Sequence, residues 1–449
     1  MRTVARYFRA TLLPSCYRLN FVTMELTTDR LDHVTCPFCG LACDDLALRR
    51  DHATLRVAKN GCALSVTAFS ELGKFTDQEN VPRVRGKLST LPQAIATAAK
   101  LLSNAEAPLI AGLGTDVAGV RATLALADRI GAVVDHMNMP AKLRNILTVQ
   151  NGGWITTTLA EIKNRADFVL VLGSSALTRF PRFLERAVTP SETLFNENPV
   201  TRKIVFLGDT DTLAEKLPSG TQVLYARHGS FARLIPALRA LSNEQRVENF
   251  AASDLNILQE LADDMRRARY GVIVWSALDF DFPHGELTIQ TLAELIKDLN
   301  KTIRFAGFPI GGNDGDFSSN GTQTWQTGLP LRSRYGKNGL DFDPYRYGAN
   351  ELLDQNAVDA MLWISSFNSS RAPPDASVAQ IVLGPPSMRL VREPEVFIPI
   401  GTPGIHHGGH FIRADKVVVM RLEKLIDSEL PSVATVAESI LQALPATSR

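Results

Sequence analysis

Three cysteines lie within one short stretch, Cys36-Pro-Phe-Cys39-Gly-Leu-Ala-Cys43, and a fourth follows in Asn60-Gly-Cys62. Thiolates at C-x2-C-x3-C spacing can take three corners of a small inorganic cluster, while the loop's own N–H groups bond its sulfides. A fourth thiolate from the next turn closes the site. Gly40 and Gly61 let the backbone come close, since glycine has no Cβ to hold it away. Four thiolates are the donor set of a [4Fe–4S] cluster. Zinc is the alternative, because four cysteines also suit zinc. Zinc sites usually pair two C-x2-C knuckles, however, whereas here three cysteines crowd one loop. The spacing therefore predicts a [4Fe–4S] cluster on Cys36, Cys39, Cys43 and Cys62. Cys16 lies in a basic N-terminal stretch and is given no role. Thiolate ligation without an export signal places the chain in a reducing cytoplasm.

Other stretches carry weaker signals. Gly112-Leu-Gly114 with Gly119 suggests a phosphate-binding turn at a helix N-terminus. The G-x-G-x-x-G spacing is not met, and a tight strand-to-helix turn accounts for the glycines. His406-His407-Gly-Gly-His410 puts three imidazoles in one loop, but three from one glycine-containing loop seldom meet at a single ion. Asn313-Asp314-Gly-Asp316 does not complete a calcium-binding loop and reads as solvated. Arg332, Arg334 and Lys337 suit either phosphate or water. There is no G-x-S-x-G elbow and no H-E-x-x-H, so no catalytic residue is assigned.

The elements that must position these residues follow from hydrophobic periodicity. Continuous apolar runs such as Pro108–Gly114, Phe168–Gly173, Lys203–Gly208 and Tyr270–Trp275 read as strands covered on both faces. Helical spacing separates them, at Leu91–Leu102, Val117–Ile130, Ile257–Arg269 and Glu286–Leu299. The fold class is α/β: a small cysteine-bearing β module, then two parallel-sheet α/β domains. The boundaries expected are a 1–24 extension, a cysteine module at 25–84, α/β domains at 85–245 and 246–425, and a C-terminal helix and tail at 426–449. The seam is placed at the polar run Ser242-Asn-Glu-Gln-Arg246. Residues 1–24 contain no Asp or Glu and carry Arg2, Arg6, Arg9 and Arg18. An export or transit segment is one reading, but Arg and Pro interrupt every apolar stretch, which favours an over-called start with Met24 as the true beginning. Lys and Arg number 48 against 47 Asp and Glu, a net charge of +1. That balance argues against a chain that coats nucleic acid or an anionic membrane. The longest apolar runs are strand-sized, too short to cross a bilayer as a helix.

The layout of cluster loop, two α/β domains and returning strands resembles the molybdopterin-dependent oxidoreductases. Several stretches narrow the resemblance to the family of formylmethanofuran dehydrogenase B subunits. They are Thr35-Cys-Pro-Phe-Cys-Gly-Leu-Ala-Cys-Asp-Asp45, Ile130-Gly-Ala-Val-Val-Asp135, Glu161-Ile-Lys-Asn-Arg-Ala-Asp167, Thr324-Trp-Gln-Thr-Gly328 and Pro399-Ile-Gly-Thr-Pro-Gly404. The resemblance implies a molybdopterin-oxidoreductase-like fold and an electron-relaying cluster. It also implies molybdenum or tungsten on two pterin dithiolenes, ligated by a cysteine or selenocysteine just after the strand matching Gly131–Val134.

Here that loop reads His136-Met-Asn-Met-Pro-Ala-Lys-Leu-Arg144, with no cysteine. A redox-cycling soft metal needs a soft anionic donor, and the neutral thioethers of Met137 and Met139 are poor substitutes. His136 is read as a surface or supporting residue. No molybdenum or tungsten bis-pterin is therefore expected. The remainder is most like the B subunits of bacterial formyltransferase/hydrolase complexes in formaldehyde oxidation. That resemblance implies a non-redox scaffold whose partners are the hydrolase, formyltransferase and C subunits. The rival is a redox-active dehydrogenase chain with an unusual ligand such as Asp135.

Overall fold

The computed structural model describes residues 30–51, 54–72, 79–194, 202–209 and 217–446. The 1–24 extension and Cys16 lie outside the described residues. Three antiparallel strands come first, β1 (Arg30–Val34), β2 (Leu46–Asp51) and β3 (Thr54–Lys59), followed by helix α1 (Ala63–Glu71). The loop bearing Cys36, Cys39 and Cys43 joins β1 to β2. Leu46, Leu48, Leu55 and Phe69 of this module are buried in one core with Ile162, Phe180, Phe183, Phe206, Val272 and Phe308. The module therefore shares a core with the rest of the chain, and a metal is not its sole support.

The chain continues through β4 (Arg83–Val84), β5 (Lys87–Leu88), α2 (Leu91–Asn104), β6 (Pro108–Gly114), α3 (Val117–Ile130), β7 (Val133–Val134) and α4 (Met139–Gly152). Helix α2 begins where Thr90 and Gln93 cap one another's backbone N–H groups. Helix α3 begins at Asp116 and stops at Gly131, whose φ of 74° is the left-handed conformation that ends helices. Strand β6 is buried along its whole length.

An excursion follows: α5 (Leu159–Arg165), β8 (Phe168–Leu172), α6 (Ser175–Thr178), β9 (Lys203–Gly208), β10 (Gln222–Tyr225), α7 (Phe231–Ser242), α8 (Ala252–Arg267), β11 (Tyr270–Trp275), α9 (Gly285–Leu299) and β12 (Arg304–Pro309). Its strands form a parallel sheet in the order β10-β9-β8-β11-β12. The chain then returns through α10 (Asp316–Thr327), β13 (Ser333–Gly336), β14 (Gly339–Phe342), α11 (Ala349–Asp354), β15 (Ala360–Ser365), β16 (Ala379–Gly384) and β17 (Val396–Pro399). These complete a nine-stranded sheet, β14-β13-β7-β6-β15-β16-β17-β4-β5, parallel at its centre and antiparallel at both edges. A hairpin, β18 (Gly409–Ile412) and β19 (Val419–Leu422), and helix α12 (Val433–Ala443) finish the fold.

The α/β class matches the sequence reading, but the sheets do not divide at 245/246. Each draws strands from both sides of that position. The polar run at 242–246 merely joins α7 to α8, whose Leu238, Leu241, Leu258 and Leu261 enter one core on the five-stranded sheet. Linear order cannot reveal that the chain leaves one sheet, builds another and comes back.

One face of the nine-stranded sheet is covered by α2, α3 and α12, with Val433, Val436 and Ile440 of α12 fully buried. Ile440→Ala should cost about 2–5 kcal/mol through lost burial and the cavity left behind. Urea unfolding of the purified chain reads this; a change under about 0.5 kcal/mol would mean that α12 is not docked there.

Candidate functional site

Cys36, Cys39 and Cys43 are buried and Cys62 is half-buried, all four as free thiols. The loop closes on itself, as the Cys36 N–H donates to the Cys43 carbonyl at 2.8 Å. Cys62 caps α1, exchanging hydrogen bonds with Ser65. Burial, and then the neighbouring Cys39, pushes the Cys36 thiol well up. Burial and Cys43 push Cys39 up to about 12. Cys43 rises to about 11 by burial, opposed by the guanidinium groups of Arg186 and Arg182. The fold thus brings the four cysteines into one another's electrostatic field. Among the described residues, no group of three or more His, Cys, Asp or Glu closes on a single metal-ion position.

Two arginines that sequence reasoning missed hold this loop from the excursion. Arg182 is only 5% exposed. It makes a two-pronged ion pair with Asp45, at 2.7 and 2.8 Å, and a second pair with Glu185. Arg186 pairs with Asp44 and Asp45. On the other side, the Gly40 N–H donates to Asn313 Oδ1 at 3.0 Å. A Cβ on Gly40 would lie 1.9 Å from the Gly311 carbonyl oxygen, so glycine is required there.

The turn at 311–316 also closes the loop after β7. The Asn138 N–H donates to His136 Nδ1 at 3.0 Å, which leaves that nitrogen unprotonated. Nε2 then carries the proton and donates to the Asp314 carbonyl at 3.2 Å. Both ring nitrogens are therefore occupied, and burial holds the imidazole neutral, well below its ordinary pKa. Asp135 turns one oxygen to the His136 N–H and the other to the Ala349 N–H, each at 2.8 Å. The Met137 sulfur accepts from Arg371 Nε. Arg371 also bonds Asn138 and pairs with Asp314, while Lys142 pairs with Asp316.

Asp314 and Asp316 are consequently buried, which corrects the reading of Asn313–Asp316 as a solvated loop. The half-buried cations Lys142 and Arg371 satisfy these carboxylates in place of water. Met137, Pro140 and Arg371 stand between two adjoining cavities of about 240 and 260 Å³.

The remaining candidates are accounted for locally. In open parallel sheets, ligands bind beyond the strand ends where strand order reverses. The nine-stranded sheet has such a point at β6, flanked by β7 and β15. There Asp116 accepts from the Ala118 and Gly119 N–H groups, so α3 offers its first amides to its own carboxylate. The glycines at 112–119 serve a strand-to-helix turn, as the spacing indicated. The five-stranded sheet reverses between β8 and β11. There Asp279 accepts from the Ser175 N–H and Oγ. A Cβ at Gly173 would meet the Asp279 carboxyl carbon at 2.3 Å, so no room remains between them.

His406 Nδ1 accepts from the Thr402 N–H, His407 packs its ring nitrogens against the Gly401 and Gly408 carbonyls, and His410 is exposed on β18. Arg332 is buried beside Asp135 and Glu351, whereas Arg334 and Lys337 are exposed. The one local signal available for these sites was Asp116 ahead of a helical run, an N-cap pattern.

The architecture that results is a parallel-sheet α/β chain carrying a cysteine-bearing β module and a carboxylate-filled cleft. No protein-family model matches it. It is similar to the B subunit of the tungsten-containing formylmethanofuran dehydrogenase 2 of Methanocaldococcus jannaschii. The two are 26% identical over 88% of this chain and 93% of that protein. It is also similar to the B subunit of the formyltransferase/hydrolase complex Fhc of Methylorubrum extorquens, with 27% identity over 80% of this chain and 95% of the relative. Among solved structures it matches a chain of the formyltransferase/hydrolase complex of Methylorubrum extorquens in complex with methylofuran. That match has a TM-score of 0.69 at 25% identity, covering 80% of this chain and 98% of the other.

Asp135 supplies a pH test of the closed loop. Burial raises its carboxyl to about 6, with Arg332 opposing. A folded-state pKa above the unfolded value gives stability that is complete below about pH 4 and lost as pH rises through 6. The stability of the parent chain relative to Asp135→Asn should therefore fall by about 2–3 kcal/mol between pH 4 and pH 7. Urea unfolding at several pH values checks this; a pH-independent difference would mean that Asp135 is solvated.

Proposed function

We propose that this chain is a non-redox, B-type scaffold in a formyltransferase/hydrolase assembly of one-carbon metabolism, acting in formaldehyde oxidation. Its partners are then the formyltransferase, hydrolase and C-type subunits. Similarity to the Fhc B subunit over most of the chain supports this reading, as does the match to a chain of the solved complex. Similarity to the tungsten-containing subunits is equally strong, so identity alone does not choose between the two.

The loop after β7 favours the formyltransferase/hydrolase reading. A tungsten or molybdenum centre requires a donor, preferably a soft and anionic one. His136 has both nitrogens hydrogen-bonded, Asp135 turns both oxygens to backbone amides, and the Met137 sulfur accepts from Arg371. That closed loop is the observation carrying the proposal. The phosphates of two pterin nucleotides would also need open amides at helix N-termini. Asp116 and Asp279 take amides at the starts of α3 and α6, where strand order reverses in the two sheets. The bis-pterin metal group therefore does not fit these residues, and no step is derived through it. Formyl transfer and hydrolysis move no electrons, so a B-type chain in such an assembly needs no redox centre.

Cys36, Cys39, Cys43 and Cys62 fit a [4Fe–4S] cluster as a donor set of four thiols with mutual electrostatic influence. Arg182 and Arg186 place positive charge beside Cys43, where a thiolate-ligated cluster would be negative. A bound cluster supplies a one-electron store and a covalent cross-link; the scaffold role uses the cross-link, which ties the β1–β2 loop to the start of α1. Free thiols in this number suit a reducing cytoplasm. Among the described residues, no helix is long and apolar enough to cross a membrane.

Elemental analysis of the purified native assembly tests the proposal. About four irons per chain, acid-labile sulfide and no stoichiometric molybdenum or tungsten are expected. One tungsten or molybdenum per chain would overturn the non-redox reading, and one zinc without sulfide would overturn the cluster. Cys39→Ala should remove the iron and lower the yield of assembled complex. Transferase and hydrolase turnover per intact complex should stay unchanged; a fall in turnover with assembly intact would give the cluster a direct part in catalysis.

A further inference from the structure

A recess of about 440 Å³ opens between α4 and α10, beside the tip of the β18–β19 hairpin. Its apolar walls include Ile146, Trp154, Phe317, Trp325, Pro330 and Ile412. Two ammonium groups reach into it. Lys142 Nζ lies 4.3 Å from the centroid of the Phe317 ring, and Lys416 Nζ lies 4.7 Å from the same centroid. Lys416 also lies 5.3 Å from the Trp154 centroid.

The two cations are not equally matched. Lys142 has the Asp316 carboxylate at 3.1 Å. Lys416 makes its attractive contacts with aromatic faces, and among the described residues no carboxylate stands within ion-pair distance of it. Its backbone has a φ of 63°, unusual for a residue with a side chain. Lys416 is accessible to water, yet protein surrounds it on most sides. That enclosure and the neighbouring Lys142 lower its ammonium to about 8.

The surface around the recess is also unusual. Trp325 is 62% exposed. Val149 and Ile155 at the end of α4, and Val417 and Val419 on the hairpin, are exposed as well. Exposed apolar side chains around a large aromatic anchor are a mark of a protein–protein contact.

We propose that this recess is a socket for another subunit, which inserts a chain segment carrying a carboxylate beside an aliphatic or aromatic side chain. The carboxylate meets Lys416, and the apolar side chain lies between Trp154 and Trp325. This rests on reading the chain as a member of an assembly. Charge complementarity selects the occupant: two ammonium groups share one internal carboxylate, so an acidic residue completes the set. A small molecule would fill the recess but leave Val417 and Val419 in water. A second copy of this chain, docked by two-fold symmetry, would set the cationic patch against itself.

The test uses the native assembly purified through this chain. A photo-crosslinking residue, p-benzoylphenylalanine, replaces Trp325, and cross-linked peptides are sequenced by mass spectrometry. The cross-link should fall on one segment of a different subunit, within a few residues of an Asp or Glu. Lys416→Glu should speed loss of that subunit on dilution at least tenfold, roughly the loss of one charge-assisted contact. Lys416→Arg should retain it within about twofold.

Cross-links to a second copy of this chain, or to none, would overturn the proposal. So would parental dissociation in Lys416→Glu. The composition of the parental assembly separates the two readings. If transferase and hydrolase are absent but the cross-link lands on an acidic segment of another subunit, the socket stands and the formyltransferase/hydrolase reading fails. If both are present and the cross-link is missing, the socket fails alone.

Discussion

Backbone meets backbone at Gly40, and much of the site is assembled around that contact. A side chain there would drive a carbon to 1.9 Å from the Gly311 oxygen. With glycine, the cysteine loop lies flat on the 311–316 turn. Its N–H is taken by Asn313 and its carbonyl accepts from the Ala414 N–H at 2.6 Å. The same turn presents the Asn313 carbonyl to Asn138 and the Asp314 carbonyl to His136. Cysteine loop, turn, His136 loop and hairpin are thus coupled through one close approach.

Charge in this region is matched almost one to one. Lys142 meets Asp316, Arg371 meets Asp314, Arg182 meets Asp45, and Arg332 lies beside Asp135. Such buried or half-buried pairs add little net stability, because desolvation offsets most of the attraction. Their consequence is geometric, since each fixes one segment against another. Lys416 is the exception, and it faces outward toward the recess.

The buried strands were legible because a strand covered on both faces must be apolar throughout, as at Pro108–Gly114 and Phe168–Leu172. The cysteine set was legible because ligand spacing is local. Helix α10 was not, because it starts with Asp316-Phe-Ser-Ser-Asn-Gly321, residues typical of loops. Tertiary partners override that propensity: the Ser318 hydroxyl accepts from the Ile412 N–H, and the Ser319 hydroxyl donates to the Leu113 carbonyl. Arg182 stayed hidden for a related reason, since its partner Asp45 lies 137 positions away. The interleaving of the two sheets was equally invisible, because strand partnership is decided by non-local pairing.

The two places where the sequence resemblance implied metals are built differently. In the loop after β7, every polar atom that could face a metal has an internal substitute, from the Asn138 and Ala349 amides to Arg371. The hydrogen bonds of that loop close on protein groups. At the cysteine loop the backbone N–H groups of Phe38, Leu41 and Ala42 favour the thiolates of Cys36 and Cys39, but burial outweighs them. Its buried thiols stand near one another with their ionisation pushed up, and burial is the largest cause in each case. Packing, Arg182 and the Gly40 contact hold the loop's backbone, and Arg182 and Arg186 favour the Cys43 thiolate. Hydrogen bonds close the first position on protein groups, whereas the thiols of the second are the donor set of the proposed cluster. Under the proposed reading the cluster would tie down the loop against which the 311–316 turn and the hairpin rest, through the Gly40 N–H and carbonyl.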